Sequence, residues 1–278
     1  MLKRMPRRSL ALAIAAAALA STSSAGAQVP LPPLGGPVQS QPPPDQSQPQ
    51  PSNPSASPPS GDQPSKPVYA AVSNERTRTL WGHAMSRAVA RKRPAKTARG
   101  VTRLRYDTED GFPEVYVVLA SYTDAKDRQW LKVRLPMRPN GRTGWVPRDS
   151  LGSLRTVTTF LRVNKHTLRA TLYRRGKRIW QAPAGIGKHG TETPGGNFYI
   201  RERLRVHGHG SLYGPLAFGT SAYSKLSEWP GGGVVGIHGT NEPGLIPGRP
   251  SHGCVRLRNR DVLRLGKLMP IGTPVRIG

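Results

Sequence analysis

The chain has 278 residues, of which 42 are Lys or Arg and 15 are Asp or Glu, and its formal net charge is +27. This length allows more than one domain, and a single Cys excludes an internal disulfide framework. An excess of positive charge gives information about the partners that a protein attracts and none about its fold. Nucleic acid is the usual partner of so basic a chain, but no basic motif interleaved with aromatic residues points to RNA or DNA, so we expect no nucleic-acid partner.

Residues 1–27 have the pattern of a secretory signal peptide. Four basic residues precede an apolar run over residues 10–20, and small residues follow, ending in Ala-Gly-Ala. The apolar run is too short to span a membrane, and the ending is typical of an Ala-x-Ala cleavage site. Arg7-Arg8 leaves twin-arginine export open beside an ordinary charged leader. No Cys stands at the cleavage site, so we expect no lipid anchor.

Cleavage would remove four basic charges and lower the formal charge from +27 to +23. We therefore expect a protein secreted to the cell envelope, in the periplasm or wall, where anionic cell-wall polymers are its polyanionic partners. Residues 28–67 are mainly Pro, Gln and Ser, with too few apolar side chains to offset the entropy of ordering. This segment is predicted to be a disordered, extended linker.

Residues 68–152 are predicted to form a small all-β domain. Residues 115–119 are a continuous β-branched and aromatic run, and residues 130–135 alternate between apolar and polar. Asn140-Gly141 favours the type I′ turn of a hairpin, with residues 144–147 as the returning strand. Strand, tight turn and Gly-Trp-Val resemble a bacterial SH3-like (SH3b) domain.

Two features of this domain allow two interpretations each. Trp130 and Trp145 could form a peptide-binding face, but packing in a core is the preferred interpretation. The densest basic run, residues 87–105, is either a solvated surface or a site for a polyanion.

Residues 156–278 are also predicted to be mainly β, with about 120 residues, enough for a core of their own. A short helix is predicted over residues 260–269, with Asn259 as its N-cap. Strands are predicted over residues 157–163, 168–173, 178–182, 197–200, 234–237 and 272–277.

The chemistry is concentrated in residues 238–256, a loop rich in Gly and Pro that contains the single Cys, Cys254. His252 lies two positions before it and His238 sixteen before it. A thiol becomes a strong nucleophile where an imidazole takes its proton and the site favours the thiolate. The pattern therefore predicts Cys/His acyl transfer, with burial of Cys254 as a small hydrophobe as the structural alternative.

Two motifs carry a resemblance to a known family. Residues 238–241 read His-Gly-Thr-Asn and residues 251–257 read Ser-His-Gly-Cys-Val-Arg-Leu, as in the active-site segment of the L,D-transpeptidase (YkuD-type) catalytic domain. Upstream, residues 193–198 read Thr-Pro-Gly-Gly-Asn-Phe and are similar to that family's Thr-Pro-x-Gly-x-Phe segment. The resemblance covers roughly residues 156–278.

The resemblance implies a role for each site residue. Cys254 is the nucleophile, His238 is the base and later the acid, and the Gly239 carbonyl orients the imidazole. The amides of Gly253 and Cys254 form the oxyanion hole.

Substrate binding is expected from four more residues. His252 and Ser251 shape the donor site, and Tyr213 lies in a flap-like loop or an ordinary turn. Arg256 either holds a substrate carboxylate or is a surface arginine.

Zinc is the rival chemistry, because His207 and His209 could join His238, His252 and Cys254 as ligands. Their spacing matches no helical metal motif, so we expect no metal and no cofactor. The leading hypothesis is a monomeric peptidoglycan L,D-transpeptidase acting on stem peptides and forming 3→3 cross-links. Water or a lipoprotein amine as acceptor would give a carboxypeptidase or an anchoring enzyme, and a non-catalytic wall-binding protein is a further alternative.

Overall fold

The structure is a computed structural model that describes residues 66–207, 210–228 and 230–278. The predicted signal peptide, and the predicted linker as far as residue 65, lie outside the described residues. The described part of the chain contains two β-sheets and one α-helix within a single structural unit. Its helix is too short to cross a membrane.

The first sheet is antiparallel, and its central strand is buried on both faces. Tyr116 and Val118 pack in the core of this sheet, whereas Val115 and Val117 pack with Tyr199 of the second sheet. Burial on two faces explains why the sequence of this strand is apolar without alternation. The strands are β1 (Val68–Ala71), β2 (Thr79–His83), β3 (Val89–Arg91), β4 (Gly100–Arg103), β5 (Val115–Thr123), β6 (Gln129–Arg134), β7 (Thr143–Pro147) and β8 (Arg155–Val157).

The order of these strands is β4-β3-β7-β6-β5-β2-β8, with β1 also paired to β5. The strands predicted over residues 115–119, 130–135 and 144–147 are confirmed as β5, β6 and β7. Because β8 pairs with β2, the first sheet extends past the boundary predicted at residue 152. Trp130 and Trp145 are buried together with Ala120, which confirms core packing.

The predicted type I′ turn at Asn140-Gly141 is wrong. The hairpin of β6 and β7 ends at the pair Arg134 and Thr143, so the connection runs over residues 135–142. A type I′ turn needs positive φ at both central residues, and of these two only Gly141 has it, at 83°. Asn140 instead uses its side chain to bind the backbone of Tyr223, far away in the sequence.

The second sheet is mixed, in the order β11-β10-β9-β18-β13-β14-β15-β17-β12-β16. Its buried core includes Leu161, Ile200, Phe218 and Ile237. The strands are β9 (Thr159–Asn164), β10 (Arg169–Arg174), β11 (Lys177–Pro183), β12 (Gly185–Gly187), β13 (Gly196–Arg205), β14 (Leu216–Tyr223), β15 (Val234–His238), β16 (Gly248–Ser251), β17 (Val255–Arg256) and β18 (Pro274–Ile277). The mainly β class predicted from the sequence is confirmed for the described residues.

The predicted helix is present as α1 (Asn259–Leu268), which buries Val262 and Leu265. The prediction of Asn259 as N-cap is wrong by one position, because Arg258 is the N-cap and makes no side-chain capping bond. The Asn259 side chain accepts a hydrogen bond from the Thr240 amide instead (2.8 Å). A residue that looks like a cap in sequence is therefore used for a long-range contact.

A buried ion pair joins the two sheets. Arg201 in β13 and Glu114 beside β5 are both 0% exposed. Arg201 donates through Nε to Glu114 Oε1 (2.7 Å) and through Nη2 to Glu114 Oε2 (2.5 Å) and Glu109 Oε2 (2.8 Å). Burial opposes ionisation of Glu109, but Arg201 and the Tyr223 hydroxyl outweigh it and lower the pKa of Glu109 to about 2. The two sheets thus share one buried charged network.

We predict that Glu114→Gln lowers the free energy of unfolding by about 3 kcal/mol, because it leaves the Arg201 charge buried without its full partner. Urea denaturation followed by Trp fluorescence would measure the loss. Arg128→Gln is the control, since it breaks an ion pair with Asp124 in which Arg128 is half-exposed, and it should change the unfolding midpoint far less. Equal midpoints for the two variants would contradict a structural role for the buried pair.

Candidate active site

Cys254 lies in the short turn between β16 and β17. The Ser251 hydroxyl donates to the Cys254 carbonyl (2.6 Å) and accepts from the Gly253 amide (3.2 Å), so one buried side chain closes the turn from inside. Gly253 has φ of 130°, which favours glycine. The Lys188 amide donates to the Ser251 carbonyl (2.8 Å) and ties the turn to the chain after β12.

These bonds change two expectations from the sequence. The Gly253 amide, predicted to donate to an oxyanion, donates here to Ser251 Oγ. Ser251 lines the cleft as predicted, but its hydroxyl is engaged within the turn rather than with a ligand. Both residues therefore act in this structure by holding the shape of the turn that presents Cys254.

His238 ends β15, which runs parallel to β17, the strand that follows Cys254. Its Nδ1 lies 2.6 Å from the Gly239 carbonyl oxygen. A carbonyl can only accept, so the Nδ1 atom carries a proton and the neutral ring has its lone pair at Nε2. The expected orientation of the imidazole by Gly239 is thus the geometry observed.

Gly236 places the imidazole and the thiol beside each other. Its amide donates to Cys254 Sγ at 3.3 Å. A methyl group at Gly236 would lie 3.5 Å from His238 Cδ2, the carbon bonded to Nε2, and 3.7 Å from Cys254 Sγ. The Cδ2 edge of the ring and the sulfur therefore both lie close to Gly236. The Gly236 amide is a donor that sequence reasoning missed.

Asn259 fixes the loop that follows His238. Its Oδ1 accepts a hydrogen bond from the Thr240 amide. A Cβ atom at Gly239 would lie only 2.4 Å from this oxygen, and a Cβ atom at Gly214 only 2.3 Å from it. Only glycine fits at these two positions. The sequence signal was an N-cap-like Asn before a helix, which does not reveal this contact.

A narrow cleft of about 60 Å³ brings together most of the residues predicted from the sequence. Its lining includes Tyr213, His238, Ser251, His252, Cys254 and Arg256. The Tyr213 ring meets the His238 ring edge-on, with centroids 4.9 Å apart, and 40% of Tyr213 is exposed. Tyr213 therefore partly covers the imidazole, from a segment that the structure describes as a turn.

Arg256 is not an exposed surface arginine, and its guanidinium donors are not all free to bind a ligand. Its side chain is 14% exposed, and Nη1 donates to Glu242 Oε2 at 2.7 Å. Its Nε is buried with no hydrogen-bond partner among the described residues. Arg256 thus brings a positive charge to the cleft while Glu242 already occupies one of its donors.

The residues considered as ligands under the rival zinc interpretation are not grouped in the part of the chain that the structure describes. There, no three His, Cys, Asp or Glu side chains are placed to hold a metal ion. His207 is exposed and does not line the cleft, and His209 lies outside the described residues.

Burial keeps both reacting groups neutral in the resting site. Burial, aided by Arg256, lowers the pKa of His238 to about 4 against the opposing effect of the Gly239 carbonyl. Burial raises the pKa of Cys254, and the Gly236 amide and Arg256 oppose the rise. The resting pair is therefore a thiol and a neutral imidazole, so the thiolate has to form when the sulfur reacts.

The loop at residues 135–142 of the first sheet holds one wall of this cleft. Asn140 donates through Nδ2 to the Tyr223 carbonyl (2.8 Å) and accepts at Oδ1 from the Tyr223 amide (2.9 Å). Arg138 donates to the carbonyls of Ser224 (3.1 Å) and Gly232 (2.9 Å), and its guanidinium lies 4.7 Å from the Tyr223 ring centroid. Ser224 itself lines the cleft, so the first sheet supports the wall beside Cys254.

Comparison with known proteins adds an independent finding. Residues 158–277 match the family model described as YkuD, L,D-transpeptidase catalytic domain, which confirms the resemblance seen in the motifs for that part of the chain. The model spans less than half of the chain and none of the first sheet.

Two relatives carry the name "Putative L,D-transpeptidase YkuD". The protein of Bacillus licheniformis is 39% identical over 115 residues, which cover 41% of this chain and 61% of that protein. The protein of Bacillus subtilis is 40% identical over 95 residues, which cover 34% of this chain and 51% of that protein. The chain thus spans between about half and three-fifths of the length of these relatives.

Among solved structures, the catalytic domain of the Enterococcus faecium L,D-transpeptidase is similar with 20% identity and a TM-score of 0.34, over 43% of this chain and 96% of that one. The structure of Bdellovibrio bacteriovorus Bd1075 is similar with 28% identity and a TM-score of 0.36, over 44% of this chain and 47% of that one.

The neutral resting pair predicts how thiol reactivity depends on pH. Because the pKa of Cys254 is raised and that of His238 is lowered, the rate of iodoacetamide alkylation should still be rising above pH 7, with no plateau near neutrality. Intact mass measured against time would give the rate, since the chain contains one Cys. A rate that is constant from pH 6 to 8 would instead show a preformed thiolate–imidazolium pair.

The contacts of the 135–142 loop predict an effect at a distance. Asn140→Ala removes both hydrogen bonds to the Tyr223 backbone, so the cleft wall at Ser224 should become more mobile. The kcat/KM of the reaction that depends on Cys254 should then fall about tenfold, while Cys254 keeps a measurable alkylation rate. Arg142→Ala, an exposed change at the end of the same loop, is the matched control and should keep the activity of the parent chain. Equal activity of the two variants and the parent chain would show that the wall does not depend on Asn140.

Proposed function

We propose that this chain is a peptidoglycan L,D-transpeptidase that forms 3→3 cross-links by cysteine acyl transfer. The observation that carries the proposal is the orientation of His238. Its Nδ1 proton is bonded to the Gly239 carbonyl, which leaves Nε2 as the basic atom of a ring that lines the same cleft as Cys254. The family match over residues 158–277 supports the same chemistry.

In the first half-reaction, His238 Nε2 takes the Cys254 thiol proton as the sulfur attacks the carbonyl between the L-centre and the terminal D-residue of a donor tetrapeptide stem. The Gly236 amide stabilises the sulfur while it is negatively charged, and we assign the Cys254 amide to the oxyanion. The C–N bond breaks, His238 returns the proton to the leaving amine, and a thioester remains.

In the second half-reaction, the amine of a neighbouring stem attacks the thioester. His238 takes a proton from that amine, the C–S bond breaks, and the thiol is restored. We assign His252 and Tyr213 to the walls of the donor site. A substrate carboxylate would bind Arg256 by replacing Glu242, which now pairs with it.

The rest of the chain would keep the enzyme near its substrate. We propose that the first sheet is an SH3-like domain that binds the cell wall, and that the basic surface of the chain binds anionic wall polymers. We also propose that the leader directs export to the cell envelope, where the chain acts as a monomer. The formal charge of +27 and the exposed Lys92, Arg93, Lys96 and Arg99 support attraction to polyanions.

Two of the competing functions would form the same thioester at Cys254 and differ in the acceptor, and a third would involve no catalysis. Water as acceptor would make the chain an L,D-carboxypeptidase, a protein amine would make it a lipoprotein-anchoring enzyme, and a non-catalytic wall-binding protein would form no thioester. We favour transfer to an amine, because an acidic chamber lined by Glu202 and Asp110 adjoins Cys254.

The test is mass spectrometry of products from a purified tetrapeptide-stem muropeptide, with and without an amine acceptor. The parent chain should release the terminal D-residue and form cross-linked dimer, and Cys254→Ala should form none. Cys254→Ser should retain less than about 1% of the rate, because a hydroxyl has a far higher pKa than a thiol.

A carbapenem would probe the nucleophile directly. Its electrophilic carbonyl should leave one adduct on the parent chain and none on Cys254→Ala, with or without a chelator. Product formation by the alanine variant would overturn the assignment of Cys254, and loss of activity to the chelator alone would favour a metal-dependent amidase.

A further inference from the structure

A second chamber adjoins the cleft at Cys254. Its volume is about 260 Å³, and it shares His238, Cys254 and Tyr213 with the cleft described above. Most of its remaining lining is apolar or glycine, such as Leu204 and Phe218. A ligand in this chamber would therefore lie in direct reach of the reacting atoms.

The charged lining of this chamber is entirely acidic. Glu202 and Asp110 line it, and its described lining includes no Lys or Arg. This is unexpected in a chain in which 42 basic residues face 15 acidic ones. Asp110 is exposed and lies in the loop between β4 and β5, whereas Glu202 is 1% exposed and lies in β13.

Glu202 is a buried carboxylate with only part of its hydrogen bonding satisfied. Its Oε2 accepts from the Thr108 hydroxyl (2.5 Å), but its Oε1 has no hydrogen-bond partner among the described residues. Oε1 lies directly over Gly219, which also lines the chamber, and a Cβ at Gly219 would come within 2.1 Å of it. The absence of a side chain at this position thus makes room for the carboxylate.

Among the described residues, no Lys or Arg forms an ion pair with Glu202 or Asp110. The neighbouring Arg201 bonds to Glu109 and Glu114 instead. Burial raises the pKa of Glu202, and the negative charge of Asp110 adds to the rise, while the Thr108 hydroxyl and the more distant charge of Arg201 oppose it. An unpaired carboxylate in apolar surroundings is costly, and a cationic ligand would remove that cost.

We propose that this acidic chamber is a binding site for a protonated primary amine, carried by a stem peptide, with Glu202 and Asp110 as its anionic groups. The proposal rests on the transpeptidase function and makes it more specific, because a stem amine can belong to the acceptor or to the side chain of the donor. A site for a cation beside the nucleophile favours an amine over water as the acceptor.

His238 lines the same chamber, which allows the bound ammonium to become a nucleophile. The neutral imidazole takes one proton from the ammonium, and the amine then attacks the thioester carbonyl. The second proton passes to the departing sulfur, so the products are an amide, the Cys254 thiol and one proton held by His238. The protons balance without a further co-reactant.

The first experiment measures binding without requiring transfer. Ethylammonium chloride should slow alkylation of Cys254 in the full chain, relative to sodium chloride at the same ionic strength, because the chamber opens at the sulfur. Protection should weaken about tenfold in Glu202→Gln and in Asp110→Asn, the loss of one charge-assisted bond. Asp107→Asn, an acidic residue of the same loop outside the chamber lining, should keep full protection.

The second experiment assigns the amine to its source. With a tetrapeptide-stem donor and a separate stem acceptor, an acceptor site predicts that the ratio of cross-linked to hydrolysed product falls about tenfold in Glu202→Gln. A donor site predicts a higher KM for thioester formation and an unchanged product ratio. Glu202→Gln preserves the shape of the side chain, and thermal unfolding of each variant would show that its fold is intact.

Protection and product ratio that are the same in Glu202→Gln, Asp110→Asn and the parent chain would overturn the acidic chamber as an amine site. That result is separable from failure of the transpeptidase proposal. If the parent chain forms no thioester with any donor, the function fails, while protection by ethylammonium still reports on the chamber.

Discussion

The buried pair of Arg201 and Glu114 is the interaction on which the rest of the structure depends. Both side chains are inaccessible to solvent, and they form a bidentate pair to which Glu109 adds a bond with Arg201 and Arg105 adds a bond with Glu114. The cost of removing two charges from water is offset by a bidentate geometry that requires both sheets in place. Separation of the sheets would leave each charge without that partner, so the first sheet is part of the folded unit rather than an appendage.

This junction has consequences at the active site. With the sheets held together, the 135–142 loop reaches the wall beside Ser224, and the segment around Thr108 and Asp110 reaches the second chamber. The family match covers only residues 158–277, yet two parts of the cleft surroundings come from outside that range. The catalytic segment and the first sheet therefore form one site in this chain.

Within the site, glycines allow the backbone to approach reactive groups closely. Gly236 brings an amide to the sulfur, and Gly239 brings a carbonyl to the imidazole while leaving space for Asn259. The same burial that fixes these atoms also keeps the thiol and imidazole neutral before substrate arrives. In the proposed reaction, the proton would therefore move during attack rather than beforehand.

Charge acts at two scales in this protein. The excess of Lys and Arg lies largely on the surface, where it generates a long-range field that salt screens over about 10 Å at 0.1 M. Acidic residues are few, and Glu109, Asp110, Glu114 and Glu202 are concentrated at the junction and the second chamber. A basic exterior suited to polyanions can therefore coexist with a local site suited to an amine.

The sequence by itself determined the local and covalent features. Period-two and continuous apolar runs located β5, β6 and most strands of the second sheet, and one Cys with two motifs pointed to the candidate site residues. These features are legible because they depend on neighbours in the chain. Only the tertiary structure decided the contacts of four residues. In the sequence, Asn140 has the pattern of a turn residue and Asn259 that of a helix cap, while Glu202 has that of a strand residue and Gly253 that of an oxyanion donor. Their partners are distant in the sequence for the first three, and for Gly253 a serine hydroxyl two residues away competes for the amide. A hydrogen bond goes to whichever group the folded chain brings nearest, and that choice is made by packing.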